Sequence, residues 1–427
     1  MRYAIVGTGG RHRMFRKAIT ETYAAENELV ALCDIDAHRL QLSASTIANS
    51  EGIALYGADE FDTMIERHRP DCVVVTTPDF LHHVYIAKAL RAGCNAMTEK
   101  PMTTDLERLK TIVEAQAETG KSVAVTFNYR YSPARTQLKE LLLSGAIGEI
   151  TAVDFRWHLD RVHGADYFRR WHREKSKSGG LLVHKATHHF DLMNWWVGSH
   201  PTKVHATGRR AFYTPQTADS LGLTRRGDRC RTCPQFDECD YHLDIAADEA
   251  LSALYLDAEN ASGYIRDRCV FAEDIDIEDT MQVQIQYDNA VTCNYTLNAY
   301  SPWEGLEIKF YGTKGELNHR HIEVHGVFAG ERNRAVDDNV TTELHLFGQH
   351  PERLPVWEGK GVHGGADPIM LGYLFAPHTM PPDKYNRSSD QVAGAWSILT
   401  GIAANRSIET GQSIDIGAML AERGLVL

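Results

Sequence analysis

The sequence predicts an α/β protein, with a doubly wound parallel sheet at the N-terminus and a larger α+β domain behind it. Six short apolar runs alternate with helical patterns over residues 1–127. A glycine-rich turn, Gly7-Thr8-Gly9-Gly10-Arg11-His12, follows the first run. Beyond Phe127 the pattern changes to helices followed by strands of alternating polarity, without a regular strand–helix repeat.

The elements follow in order. Arg2–Val6 reads as a strand and Met14–Glu21 as a helix. Leu29–Cys33 is the second strand, and Asp36 caps a helix reaching roughly Ala48. Ile53–Leu55 is short and precedes a helix near Phe61–Arg67. Cys72–Thr76 is continuously apolar up to its last residue, as a strand covered on both faces requires. His82–Arg91 is helical and Gly93 ends it; Asn95–Thr98 is the fifth strand. Thr104 is the expected cap of Asp105–Thr119, Gly120 stops that helix, and Val123–Phe127 is the sixth strand. In the second part, Arg135–Leu143 is an amphipathic helix. Ile150–Trp157, Val204–Phe212, Met281–Tyr287, Val291–Leu297 and Leu306–Tyr311 alternate as strands. The expected domains are 1–127 and 128–427, with a cysteine-bearing insertion at about 214–269.

Composition narrows the class. Apolar residues are 43% and charged residues 24%, a globular balance that excludes disorder. The net charge of −12 disfavours nucleic acid and anionic lipid as partners. Eight cysteines are too few for a disulfide scaffold. The N-terminus enters a strand without a signal-peptide pattern, and no apolar run has a membrane-spanning length, so a cytoplasmic protein is expected.

The first turn points to a dinucleotide. Gly7 permits a tight turn, and Gly9 lets a pyrophosphate approach backbone N–H groups at a helix start. The third position of the G-x-G-x-x-G pattern is His12, which with Arg11 could close over the phosphates. Asp34 ends the second strand, where a carboxylate accepts both ribose hydroxyls of NAD and repels the 2′-phosphate of NADP. Thr8 and Gly10 complete the turn. Thr76-Thr77-Pro78, with His82 beyond it, and Glu99-Lys100-Pro101 end the fourth and fifth strands, on the rim where such sheets bind ligands. Lys100 precedes a proline and is held extended, so it can donate to a substrate hydroxyl and stabilise a developing alkoxide.

Glu99-Lys100-Pro101 with the preceding glycine-rich turn resembles the Gfo/Idh/MocA oxidoreductases. The likeness extends through Asn128-Tyr129-Arg130-Tyr131-Ser132-Pro133, Gly179-Gly180, His188 and Asp191. It implies a Rossmann domain, then a C-terminal domain with a large, open, mostly antiparallel sheet whose outer face makes subunit contacts in a homodimer or homotetramer. It also implies NAD(P)-dependent oxidation or reduction at a carbinol of a sugar, inositol or glycoside. Asn128 joins the cofactor set on the same basis.

The densest chemistry lies in Gly179–Asp191. On one helix, His184, His188 and Asp191 would share a face. His188 matches the family's catalytic histidine, suited to take the hydroxyl proton while Lys100 polarises the same oxygen. Family members usually carry aspartate four residues earlier, where this chain has His184. Lys185 and His189 are further candidate contacts. A metal on His184 and His188 is disfavoured without the glutamate of an H-E-x-x-H motif. Upstream, Arg156, His158, Asp160, Arg161, His163, Tyr167, Trp171 and Arg173 form a polar and aromatic stretch of the kind that binds sugars.

Cys230, Cys233 and Cys239 form a C-x₂-C-x₅-C run, with Cys269 further on. Four thiolates would make a closed structural zinc site, and a subset of the family carries a similar insertion. An iron–sulfur cluster and unligated thiols are the alternatives, with His242 or Asp240 as other fourth ligands. Cys33, Cys72, Cys94 and Cys293 read as core residues.

The expected activity is an NAD-dependent sugar or polyol dehydrogenase. A redox-neutral glycoside hydrolase acting through a 3-keto intermediate uses the same first step. A non-catalytic NAD-binding sensor is the third reading, and the presence of both Lys100 and His188 argues against it.

Overall fold

Six parallel strands order the N-terminal part of the chain around one reversal. They are β1 (Arg2–Val6), β2 (Glu28–Asp34), β3 (Ala54–Gly57), β4 (Cys72–Val75), β5 (Asn95–Thr98) and β6 (Val123–Val125), in the order β3-β2-β1-β4-β5-β6. The computed structural model describes residues 1–48, 50–325, 339–359 and 362–427. Because the winding reverses between β1 and β4, a crevice opens at the carboxyl ends of those strands. Crossovers come from α1 (His12–Lys17), α2 (Ala37–Ser45), α3 (Phe61–His68), α4 (His82–Arg91) and α5 (Leu106–Thr119). Asp36 caps α2 as expected, accepting from the backbone N–H of His38 and Arg39. Asp105, not Thr104, caps α5: its side chain accepts from Arg108 N at 2.9 Å. A bond of this type is worth about 1 kcal/mol.

The second sheet has nine strands. They are β7 (Ile150–Asp160), β8 (Pro201–Arg209), β9 (Thr280–Tyr287), β10 (Thr292–Ser301), β11 (Trp303–Gly312), β12 (Gly315–His325), β13 (Val340–Leu346), β14 (Glu352–Leu354) and β15 (Ile414–Asp415). Their order is β14-β13-β12-β11-β7-β10-β9-β8-β15, antiparallel except for the β7–β10 pair. Strand alternation gives this sheet two faces. Val153, Phe155 and Trp157 of β7 are buried in the core cluster that also holds Phe190 and Trp196 of the helix Thr187–Val197. Gln282, Gln284 and Gln286 of β9 face outward and are exposed.

Helices α6 (Pro133–Leu143) and α7 (Arg161–Arg169) flank β7 in sequence. The long helix Gln391–Thr410 packs on β8 and on Thr187–Val197. Residues 214–269 form an excursion of short helical turns, closed at its base by backbone hydrogen bonds between Cys230 N and Asp267 O and between Cys269 N and Asp228 O, each 2.8 Å. Among the described residues, no helix is long and apolar enough to cross a membrane.

Candidate active site

The crevice above β1 and β4 continues into the second domain as one cavity of about 970 Å³. Its floor is the first turn. Gly7 has φ +92°, and a Cβ there would lie 2.6 Å from Thr77 N, so only glycine fits. A Cβ on Gly9 would meet nothing within 4 Å, which leaves its backbone open to an incoming group. This is the cradle a pyrophosphate needs. Asp34 lines the cavity, steadied by Thr8 N at 2.5 Å, Thr8 Oγ1 at 2.9 Å and Asp36 N at 2.9 Å. Oδ2 already accepts two bonds and Oδ1 one, so the acceptor site left for a ribose hydroxyl is on Oδ1.

Gly7, Gly9, Gly10, Arg11, Asp34, Thr76, Thr77, Pro78, His82, Glu99, Lys100 and Asn128 all line this cavity, so the structure brings most of the expected cofactor set together. Thr8 and His12 do not line it. Thr8 acts through Asp34. His12 points away: Nδ1 bonds Gly9 O, and Nε2 meets Ser43 Oγ at 2.7 Å. Burial takes its imidazole down to about 4. His12 therefore ties the turn to α2 from outside the cavity lining. His82 is also a tie, its ring nitrogens each 2.8 Å from a carbonyl, of Pro101 and Thr77. Arg11 bonds Glu99 Oε1 at 2.6 Å, and Asn128 donates to Asp367 Oδ1 at 2.6 Å. Asp367, from the helix Val362–Phe375, was not visible in any motif.

Lys100 and His188 line the same cavity from opposite domains. Lys100 Nζ donates to His184 O at 3.3 Å, and burial lowers its ammonium to about 8, against the opposing pull of Asp79 and Glu99. His188 stacks on Tyr129 with ring centroids 4.2 Å apart and planes 11° from parallel. The stack fixes the plane of the His188 ring.

The expected single helix through residues 184–191 is two helices. Leu181–His184 ends before Lys185, and Thr187–Val197 begins after two intervening residues. His184 turns toward the first domain, where Nδ1 stands 2.5 Å from Asp79 Oδ2. Burial pushes the Asp79 carboxyl up to about 7 and the His184 imidazole well below its ordinary value, so the imidazole is uncharged. Asp191 is not in the cavity. It forms a buried ion pair with Arg130, with contacts of 2.5 and 2.8 Å.

A second polar set lies across the cavity. Glu304 of β11 accepts from His163 Nδ1 at 2.9 Å, and the Tyr167 hydroxyl is 3.1 Å from His163 Nε2. Lys185 Nζ is 3.6 Å from Glu304 and lies over the Trp157 ring. Burial alone would raise Glu304, but His163 and Lys185 outweigh it and hold the carboxylate at about 2. Burial takes the Tyr167 phenol up to about 12. Trp171, Arg173 and Lys185 line the cavity as expected. Arg156, His158 and His189 lie outside it. Arg156 and His158 face Glu307 on the outer side of the sheet, where His158 stacks on Trp303. His189 bonds the Tyr295 hydroxyl at 2.7 Å and stacks on Trp157, inside the core.

Cys230, Cys233, Cys239 and Cys269 surround one small cavity of about 20 Å³. The expected zinc is nevertheless not supported: among the described residues no three His, Cys, Asp or Glu side chains are placed to hold a metal ion. The Cys233 sulfur accepts from Gly227 N at 3.3 Å, and none of the four forms a disulfide. Cys33, Cys72, Cys94 and Cys293 are buried core residues, as expected.

Two family profiles decide the kinship. The oxidoreductase family's NAD-binding Rossmann fold matches residues 1–127, and its C-terminal alpha/beta domain matches residues 139–416. The chain belongs to the Gfo/Idh/MocA oxidoreductases. Oxidoreductase YteT of Bacillus subtilis (strain 168) is 35% identical over 404 residues, 92% of each chain. D-glucoside 3-dehydrogenase of Escherichia coli (strain K12) is 28% identical over 225 residues, which are 52% of this chain and 61% of that one. Among solved structures, the WlbA dehydrogenase of Bordetella pertussis with NADH and UDP-GlcNAcA aligns over 97% of this chain and 98% of its own, with TM-score 0.64 and 20% identity. That likeness shows the shared fold. This Gfo/Idh/MocA chain has His184 where the sequence resemblance anticipates aspartate, and Asp79 supplies a carboxylate from the other domain instead. Asp79 follows Pro78 directly, so its place on the rim was readable; its partner was not.

Proposed function

We propose that this chain is an NAD-dependent dehydrogenase acting on a secondary carbinol of a sugar, polyol or glycoside. The observation that carries the reading is the meeting of Lys100 and His188 with the Gly7–Gly9 turn and Asp34 in one cavity. Bound NAD supplies the hydride acceptor. Lys100 donates to the substrate oxygen and stabilises charge that develops there. His188, held by its stack on Tyr129, takes the hydroxyl proton. Trp171 offers an apolar ring face, and Lys185 and Arg173 offer donors to other hydroxyls. The relative named D-glucoside 3-dehydrogenase favours the carbohydrate class. The same reading takes the protein to be cytoplasmic and the outer sheet face bearing Arg156, His158 and Trp303 to be the surface for a homodimer or homotetramer. The domains are divided at residue 127.

The Tyr167–His163–Glu304 chain favours a second reading, the redox-neutral glycoside hydrolase. Oxidation at one carbon acidifies the neighbouring C–H. Tyr167 can exchange a proton there while handing its own to His163, whose tautomer Glu304 fixes. The C–H electron pair then forms a C=C bond, and the next substituent leaves with its bonding pair. Water adds, and the hydride returns to the ketone.

The test is a panel of free sugars, inositols, glycosides and 3-keto glycosides, reading NADH absorbance and bond cleavage together. Steady NADH from a free sugar or polyol supports the dehydrogenase. Cleavage without net NADH supports the hydrolase. Turnover that survives both Lys100→Ala and His188→Ala rejects both.

A further inference from the structure

The excursion at 214–269 does more than lengthen the second domain: its far end reaches back over the first. Ala253 O meets His38 Nε2 at 2.8 Å, and Arg39 Nε donates to Leu254 O at 3.0 Å. Both partners, His38 and Arg39, lie in the first turn of α2, which begins three residues after Asp34. The Arg39 guanidinium also sits 5.7 Å from the centroid of the Tyr255 ring. A Cβ on Gly10 would lie 3.5 Å from the Tyr255 hydroxyl and 3.8 Å from Leu254 Cδ2, so these side chains rest on the glycine turn itself. The neighbouring Gly9 stays open to the cavity beneath them. Tyr255 and Tyr264 line the same cavity as Gly9 and Asp34.

This cover is braced. Arg170 Nε donates to the Tyr264 hydroxyl at 3.4 Å, and Arg266 pairs with Asp166 at 2.7 Å. Arg229 bridges Glu259 and Asp267, each at 2.6 Å, across the base of the excursion. In a doubly wound domain the nucleotide lies in the crevice outside the carboxyl ends of the strands. Here that crevice is roofed by aromatic and apolar side chains whose supports run to the second domain.

We propose that residues 253–264 form a cofactor-binding wall and hold NAD(H) on the enzyme through turnover. The inference rests on reading the crevice as the NAD site. Its consequence is chemical. A hydride removed from a carbinol, with the hydroxyl proton passing to His188, leaves a ketone and bound NADH. That hydride must then return, with a proton, to a carbonyl carbon before the cofactor exchanges. Retention therefore favours the second reading above, a redox-neutral cycle, over steady release of NADH.

The experiment loads the full-length protein with NADH and follows its release by fluorescence after mixing with excess NAD, alongside cofactor content after gel filtration. The wild type is expected to keep its cofactor through filtration. Tyr255→Ala and Arg39→Ala should each release NADH on the order of tenfold faster, since changes at one interface act mainly on dissociation. Tyr255→Phe should stay near wild type. Arg225→Ala, exposed elsewhere on the excursion, should behave as wild type and controls for general loosening. Equal release rates in wild type and both cover variants, or immediate loss from the wild type, would overturn the proposal while NAD binding itself stands. Failure of any form to bind NADH would reject the NAD reading beneath it.

Discussion

His184 Nδ1 and Asp79 Oδ2, 105 residues apart in sequence, stand 2.5 Å apart across the domain boundary. The contact joins the segment that carries His188 to a carboxyl group of the Rossmann domain. Asp79 also raises the pKa of Lys100, opposing the burial that lowers it. Asp79→Asn removes that support, so the Lys100 ammonium should lose its proton at lower pH. Oxidation needs the ammonium as donor and should fall as pH rises through about 8 in the wild type. In Asp79→Asn this alkaline limb should move to lower pH. The pH profile of kcat/KM checks it, and an unmoved limb would remove Asp79 from the tuning of Lys100.

Lys100→Met and His188→Asn should each lower kcat by about 10²–10⁴-fold, the usual range for a positioned acid or base. NADH affinity should change far less. Parallel binding titrations and steady-state rates separate the two effects.

Asp34 should make the enzyme prefer NAD to NADP. Asp34→Ala should weaken NADH binding and narrow the preference, because a 2′-phosphate no longer meets a carboxylate. The same change strips Thr8 N and Asp36 N of their acceptor, and a buried donor left alone costs about 1–3 kcal/mol. Dissociation constants for NADH and NADPH and the denaturation midpoint should therefore shift together.

Tyr167→Phe should separate the two proposed activities. It leaves the Lys100–His188 arrangement in place, so hydride exchange with a carbinol should persist. Glycoside cleavage, if the relay serves elimination, should drop by about 10²-fold or more. Equal activity of Tyr167→Phe and wild type on a cleaved glycoside would exclude the relay from that step.

Arg130 and Asp191 pair in the interior, their side chains 7% and 1% exposed. Asp191→Ala leaves a buried guanidinium without its partner and should cost about 3–5 kcal/mol. Urea unfolding of Asp191→Ala checks this, and a midpoint equal to wild type would contradict it.

The sequence revealed the features that are local. The Gly7 turn, Asp34 at the end of β2 and the rim residues Thr76–Pro78 and Glu99–Lys100 are fixed by short-range strand–turn–helix patterns. Features set by long-range contact were hidden. Nothing within residues 179–191 announces the break at Lys185-Ala186, which aims His184 at Asp79. Arg156 and His158 looked like sugar contacts, yet the pleat of β7 sends them to the outer face while Trp157 goes inward. The Glu304–His163–Tyr167 chain joins β11 to α7, and no spacing rule links residues so far apart. Four cysteines converged as their spacing suggested, yet their side chains are not placed to ligate a metal.

Hydride transfer itself can be followed with a substrate deuterated at the oxidised carbon. Under single-turnover conditions with NAD, deuterium should appear at nicotinamide C4 with wild type, and the transfer should be lost in Lys100→Met and His188→Asn. Substrate conversion in which no deuterium reaches the nicotinamide, or transfer at the wild-type rate in both variants, would contradict the assignment of this cavity as a dehydrogenase site.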